Sequence, residues 1–321
     1  MASGVASRSA STVGKAPYDI DRAADVERAV ATTLAPRQPP MDLPPIEAAW
    51  KGIVADTTAT PVKIIFDTDM GTDIDDAIAL CFALRRPELQ VCAITTSRGE
   101  VEQRAAIVSR LLQQLGREDI PFAPGSPRRA DGSGMWDKPV DQFPFAGPAA
   151  DRPPPTCAEA QELYRRIIPA HPGKVWLVVV GPMTNAAILI RDHPDVAREL
   201  RGIVCMGGEP VRSTAETNIK NDPAAAAIVC ASGLLKFAAT DDVCMRLLMP
   251  KPDIDRLRQA GSPVGRALVS LYDLYRISQN TKPAPVVFDL CPVACLVAPE
   301  LFATKTQGWR LAAGGATVPA D

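Results

Sequence analysis

Histidine is nearly missing from this chain. Only His171 and His193 occur in 321 residues, and each precedes a proline at an expected helix end, so the chemistry expected of the chain has no imidazole in it. No charge of either sign dominates: 35 Lys and Arg face 37 Asp and Glu, which indicates neither a basic surface for nucleic acid nor an acidic tail. No apolar run approaches the roughly 18 residues of a membrane span, and the first twenty residues lack the apolar core of a secretory signal. The cytoplasm is the expected location. Eight cysteines are present but no CxxC pair. Most sit within apolar runs, as small buried hydrophobes do in a reducing compartment.

What is present reads as a soluble α/β protein. Residues 1–60 are rich in Ala, Ser, Thr and Pro and include APRQPPMDLPP, a stretch that suits neither a helix nor a central strand. They are expected to form an N-terminal arm, with residues 61–321 as a single domain. From residue 62 apolar runs at 62–66, 90–96, 175–180, 202–206 and 236–240 lack strict polar alternation, as parallel strands covered on both faces do. Helical patterns at 75–85, 101–115, 156–168, 184–191 and 222–234 separate them. The order implies right-handed crossovers and an open, mostly parallel Rossmann-like sheet flanked by helices, with ligands beyond the C-terminal strand ends.

The stretch PVKIIFDTDMGTDIDDAIAL puts Asp67, Asp69, Asp73, Asp75 and Asp76 at such a strand end. A helix N-terminus favours a nearby anion by only about 0.3–1 kcal/mol, too little to keep several crowded carboxylates ionised. A hard divalent cation taking oxygen ligands is the simplest remedy. No GxGxxG follows the strand, so a dinucleotide site is not expected. A metal-dependent phosphohydrolase remains open at this point.

The chain resembles the inosine-uridine preferring nucleoside hydrolase family over roughly residues 62–318. The resemblance is carried by DTDMGTDIDDAIAL at 67–80, ITTSRG at 94–99, GREDIPFAPG at 116–125, VVGPMTNAAILI at 179–190, AETNIKNDPAAA at 215–226 and FDLCPVACLVAPELF at 288–302. It implies calcium-dependent hydrolysis of an N-glycosidic bond in a ribonucleoside or related N-riboside, through a metal-bound water and an oxocarbenium-like transition state. It further implies that Asp69, Asp76, Asp289 and the Val180 carbonyl bind calcium, with Asp69 also the general base. Asp75, Glu216 and Asn218 would contact the sugar, and a homo-oligomer, dimer or tetramer, would be formed. Thr184 and Asn185 are expected to brace the following helix and position the Val180 carbonyl.

Departures from the family pattern fall around the leaving group. The histidine that precedes the C-terminal metal aspartate in the family is Phe288 here, Glu100 stands where an asparagine follows the TTSRG stretch, and Asp131 stands where a loop histidine is often found. Proton delivery would fall to Glu100, Asp131, Tyr272 or water. Residues 126–155 are a lid candidate, and Tyr272, Tyr275 and Trp136 are candidates to reach the base. A sugar- or nucleoside-binding protein on the same scaffold is the reading without catalysis.

Overall fold

The apolar run beginning at Val62 forms the third strand across a six-stranded sheet. The computed structural model describes residues 61–135, 138–234, 236–278 and 284–319. The arm expected over 1–60 and Trp136 lie outside them. In chain order the elements of the main layers are β1 Val62–Thr68, α1 Asp75–Arg85, β2 Leu89–Thr96, α2 Val101–Leu115, β3 Phe122–Pro124, α3 Ala160–Ile167, β4 Val175–Val179, α4 Thr184–Asp192 and α5 Pro194–Arg198. They continue with β5 Gly202–Met206, α6 Thr217–Asn221, α7 Pro223–Ala231, β6 Lys236–Ala239, α8 Asp241–Cys244, α9 Lys251–Ala260, α10 Pro263–Ser278 and α11 Leu290–Val297. A separate antiparallel pair, β7 Trp309–Leu311 with β8 Thr317–Pro319, follows.

The sheet order is β3-β2-β1-β4-β5-β6 with every pairing parallel. Alternate residues of each strand serve opposite cores, because side chains on a strand point to the two faces in turn. Ile64, Phe66, Trp176, Val178 and Val204 pack on one face, beneath α1, α2, α10 and α11. Ile65, Val175, Leu177, Val179 and Ile203 pack on the other, beneath α3, α4 and α7. Burial on both sides is why the strand sequences show no polar alternation. Among the described residues no helix is long and apolar enough to cross a membrane.

The local signals for α1 agree with its placement. Asp75 and Asp76 occupy its first turn and Arg85 its last, each charge matching the helix dipole. It stops at Arg86, which is extended as a residue preceding proline prefers to be. The expected helix over 156–168 is shorter, beginning at Ala160, and the one over 184–191 is followed by the short α5.

The chain runs outward from β1 through β2 to β3, then returns to lay β4 on the other side of β1. The crevice beyond the C-terminal ends of β1 and β4 is therefore the point where the strand order reverses, the usual ligand position in such sheets.

Candidate active site

The reversal point is occupied by acids from both ends of the described chain. Asp69 follows β1, Asp75 and Asp76 open α1, and Asp289 immediately precedes α11. All four line one cavity of about 1020 Å³. Gly71 makes the turn between strand and helix with φ +125°, and a Cβ there would meet Val140 Cγ1 at 2.5 Å, so only glycine suits it. Gly181, after β4, lets the two strand exits approach: a Cβ would lie 3.0 Å from the Asp69 amide and from its Oδ1.

Asp75, Asp76 and Asp289 present carboxylate oxygens that all lie within 4.8 Å of one another, and they are only 5%, 3% and 4% exposed. Burial, and then the charges of neighbouring aspartates, raise all three carboxyl groups well above the ordinary range. Such a set is satisfied either by protons or by a cation. Three converging carboxylate oxygens with no soft ligand among them suit calcium, which takes only oxygen donors, better than a metal preferring nitrogen or sulfur.

This grouping contains Asp76 and Asp289 of the expected metal set, together with Asp75. Asp75 belongs to the cluster because it is adjacent to Asp76 in the first turn of α1. Asp69 lines the same cavity and accepts at its Oδ2 from Arg98 Nη1 at 2.7 Å, with both side chains buried. Val180 lines the cavity, and its carbonyl accepts from Asn218 Nδ2 at 2.9 Å. Asn218 therefore positions that carbonyl. Thr184 donates to Asp222 at 2.7 Å, while Asn185 donates to Asp67 at 2.8 Å and to the Thr96 carbonyl at 3.0 Å.

Glu216 also lines the cavity, but its carboxylate caps α6. It accepts from the amides of Asn218 at 2.7 Å and of Ile219 and Gly208 at 3.2 Å each. Burial lifts its pKa to about 7 against the opposing pull of those amides. Phe288 lines the wall beside Asp289.

Three of the expected site residues stand outside the cavity wall. Glu100 is exposed at the start of α2, bonded by Gln103 at 3.4 Å. Asp131 is exposed at a turn, accepting from the Ser133 amide at 2.8 Å. Tyr272 is on α10 as expected but packs among Ile74, Ile78 and Leu257 in a separate apolar niche. His171 and His193 sit at helix ends away from the cavity. Of the lid candidate, Arg129, Gly134, Met135 and Lys138 line the cavity, and Gln142 ties the segment to the acid loop through the Asp73 carbonyl at 2.8 Å.

Two arginines were not anticipated. Arg98, at φ 74°, neutralises Asp69. Fully buried Arg104 on α2 donates to the carbonyls of Arg98 at 2.8 Å, of Met70 at 3.1 Å and of Asp69. It fixes the backbone of the acid loop, and its charge also lowers the Asp76 carboxyl. No local pattern marks an arginine two of whose partners lie 34 and 35 residues earlier.

The buried acids make metal-free stability pH-dependent. Beneath the cluster, burial raises Asp67 from 3.8 to about 7, the bonds from Thr95 and Asn185 notwithstanding. A raised folded-state value favours the folded form below the unfolded pKa, and that advantage is lost as pH rises through the folded one. In chelator the melting temperature should fall between about pH 5 and pH 8, and calcium should flatten the fall. Thermal unfolding across that window checks this, and a metal-free melting temperature rising over it would contradict the assignment.

The sequence profile of the inosine-uridine preferring nucleoside hydrolases matches residues 64–318. The pyrimidine-specific ribonucleoside hydrolase RihA of Citrobacter koseri is 37% identical over 238 residues, covering 69% of this chain and 75% of its own length. That of Klebsiella pneumoniae is 35% identical over 233 residues, covering 68% and 74%. Among solved structures, the plant nucleoside hydrolase PpNRh1 superimposes with a TM-score of 0.72 at 26% identity, over 81% of this chain and 87% of that one.

Proposed function

The chain belongs to the inosine-uridine preferring nucleoside hydrolase family, and from that premise we propose that it hydrolyses the N-glycosidic bond of a ribonucleoside or related N-riboside with calcium bound. The observation that carries this reading is the convergence of buried Asp75, Asp76 and Asp289 at the crevice between β1 and β4. These carboxylates, with the Val180 carbonyl, would hold the ion. When bound, calcium supplies Lewis acidity and room in its six to eight oxygen positions for a water and two vicinal hydroxyls.

The remaining roles belong to this chain's own groups. Asp69, held by Arg98, takes the proton of a water that attacks the anomeric carbon. Asp75 orients the sugar diol, and Glu216 and Asn218 form the adjoining wall. A floor of carboxylates favours the positive charge that develops on the sugar over the neutral ground state.

Leaving-group chemistry is where this member is unusual. No imidazole lines the described cavity and Phe288 stands beside Asp289, an aromatic surface that stacks a base without protonating it. Losing general-acid help lowers the rate by about 10²–10⁴-fold for a base that needs a proton. The reading therefore favours a leaving group that departs without one, such as a pyridinium or alkylated base. The eight free cysteines fit the cytoplasm as its compartment.

The test is free-sugar release from purine, pyrimidine and pyridinium ribosides, with calcium or chelator. Calcium-dependent release, fastest from pyridinium ribosides, is expected. Saturable binding with no release from any substrate would make the chain a binding protein, and magnesium-dependent phosphate release from phosphate esters would make it a phosphohydrolase.

A further inference from the structure

The acid floor and the mouth of the cavity carry opposite charge. Arg129, Lys138 and Lys220 line the same cavity as the carboxylates. They arrive from two elements that meet there. Arg129 Nε donates to the Asn221 carbonyl at 2.6 Å, which sets it beside Lys220 on α6. The segment beyond Arg129 turns back through hydrogen bonds from the Arg129 amide to Ser133 O at 3.1 Å and from the Gly132 amide to Arg129 O at 2.8 Å, leading to Lys138.

None of the three pairs with a carboxylate among the described residues. Asp241, which also lines the cavity, is already engaged by Arg212. A neutral nucleoside offers these cations no charge to pair with, and at about 1020 Å³ the cavity reaches the top of the about 300–1,000 Å³ that small-ligand pockets span. Glu216 and Asn218, the sugar wall proposed above, share α6 and its N-cap with Lys220, so the exocyclic C5′ is the sugar position from which a charged substituent reaches toward these cations.

We propose that Arg129, Lys138 and Lys220 form a phosphoryl subsite, so that the substrates are ribosides phosphorylated at C5′ in preference to free nucleosides. This rests on the hydrolase reading above and names its substrate class. Arginine and lysine are the side chains suited to phosphate oxygens, and the reaction remains glycosidic: water adds to C1′, the base departs and ribose 5-phosphate is released with its ester intact.

The experiment compares kcat/KM for uridine with uridine 5′-phosphate and for nicotinamide riboside with its mononucleotide, and adds a diphosphate-linked dinucleotide to separate terminal from bridging phosphate. A preference of about tenfold or more for the phosphorylated partner is expected, weakening with salt and collapsing in the K138Q/K220Q double variant. A wild-type ratio of one or less, a ratio unmoved by the double variant, or release of inorganic phosphate in place of ribose 5-phosphate overturns the proposal. If no substrate releases sugar, the hydrolase reading fails by itself. The subsite is then read by calorimetry of the calcium-loaded full chain. Tighter binding of ribose 5-phosphate than of ribose, lost in the double variant, supports it, and equal binding overturns it.

Discussion

Asp69→Asn is expected to lower kcat by about 10²–10⁴-fold, the range for loss of a general base. The substitution keeps the shape of the side chain and removes its charge. It also strips Arg98 of a carboxylate 2.7 Å away in a buried site, and breaking a buried pair from one side costs about 3–5 kcal/mol. Lost stability and lost catalysis must therefore be separated. Pairing D69N with R98Q does so: the double variant should recover part of the stability, because the buried guanidinium that lost the Asp69 carboxylate is gone too, yet recover none of the turnover. Calcium affinity should fall less in D69N than in a variant of the Asp75, Asp76 and Asp289 cluster. Near-wild-type turnover in folded D69N would remove Asp69 as the base, and recovered turnover in the double variant would show that the loss was structural.

The same pair marks where sequence reasoning stops. The β1–α1 unit was legible because each of its signals is local: an apolar run, a glycine turn, acids in the first helical turn and Arg86-Pro87 at its end. The doubly covered sheet was legible for the same reason. Strand β3 was not, since its three residues Phe122–Pro124 are too short for a pattern and end in proline at a sheet edge. Within the site, the order of motifs places Asp289 and Asp76 at one strand-end crevice, but which oxygens face one another depends on side-chain direction. That is why the mutually closest carboxylates are those of Asp75, Asp76 and Asp289 and why the Val180 carbonyl accepts from Asn218. Glu100 and Asp131 share motif positions with the site yet face solvent. Arg104 carries no sequence signal because its bonds go to backbone carbonyls, which every residue possesses.

Asp289→Asn should move stability and function in opposite directions. In the metal-free protein at pH 8, burial and then the charges of Asp75 and Asp76 disfavour the ionised Asp289, so a neutral amide of the same size relieves the folded state. Each kcal/mol recovered raises the melting temperature of a domain this large by about 2–4 °C. Calcium reverses the ranking. Removing one carboxylate from the cluster should weaken the ion by at least about 10–100-fold, the loss typical even of outer partners at a metal site. A ligand stabilises only in proportion to its concentration over Kd, so wild type gains more from a given calcium concentration than the variant does. Plotted against calcium, the two melting curves should cross, the variant ahead in chelator and wild type ahead at saturation, with glycone release lost alongside affinity. A variant less stable than wild type in chelator would mean that the three acids are held together by something other than a missing cation, such as shared protons, and the calcium assignment would fall with it.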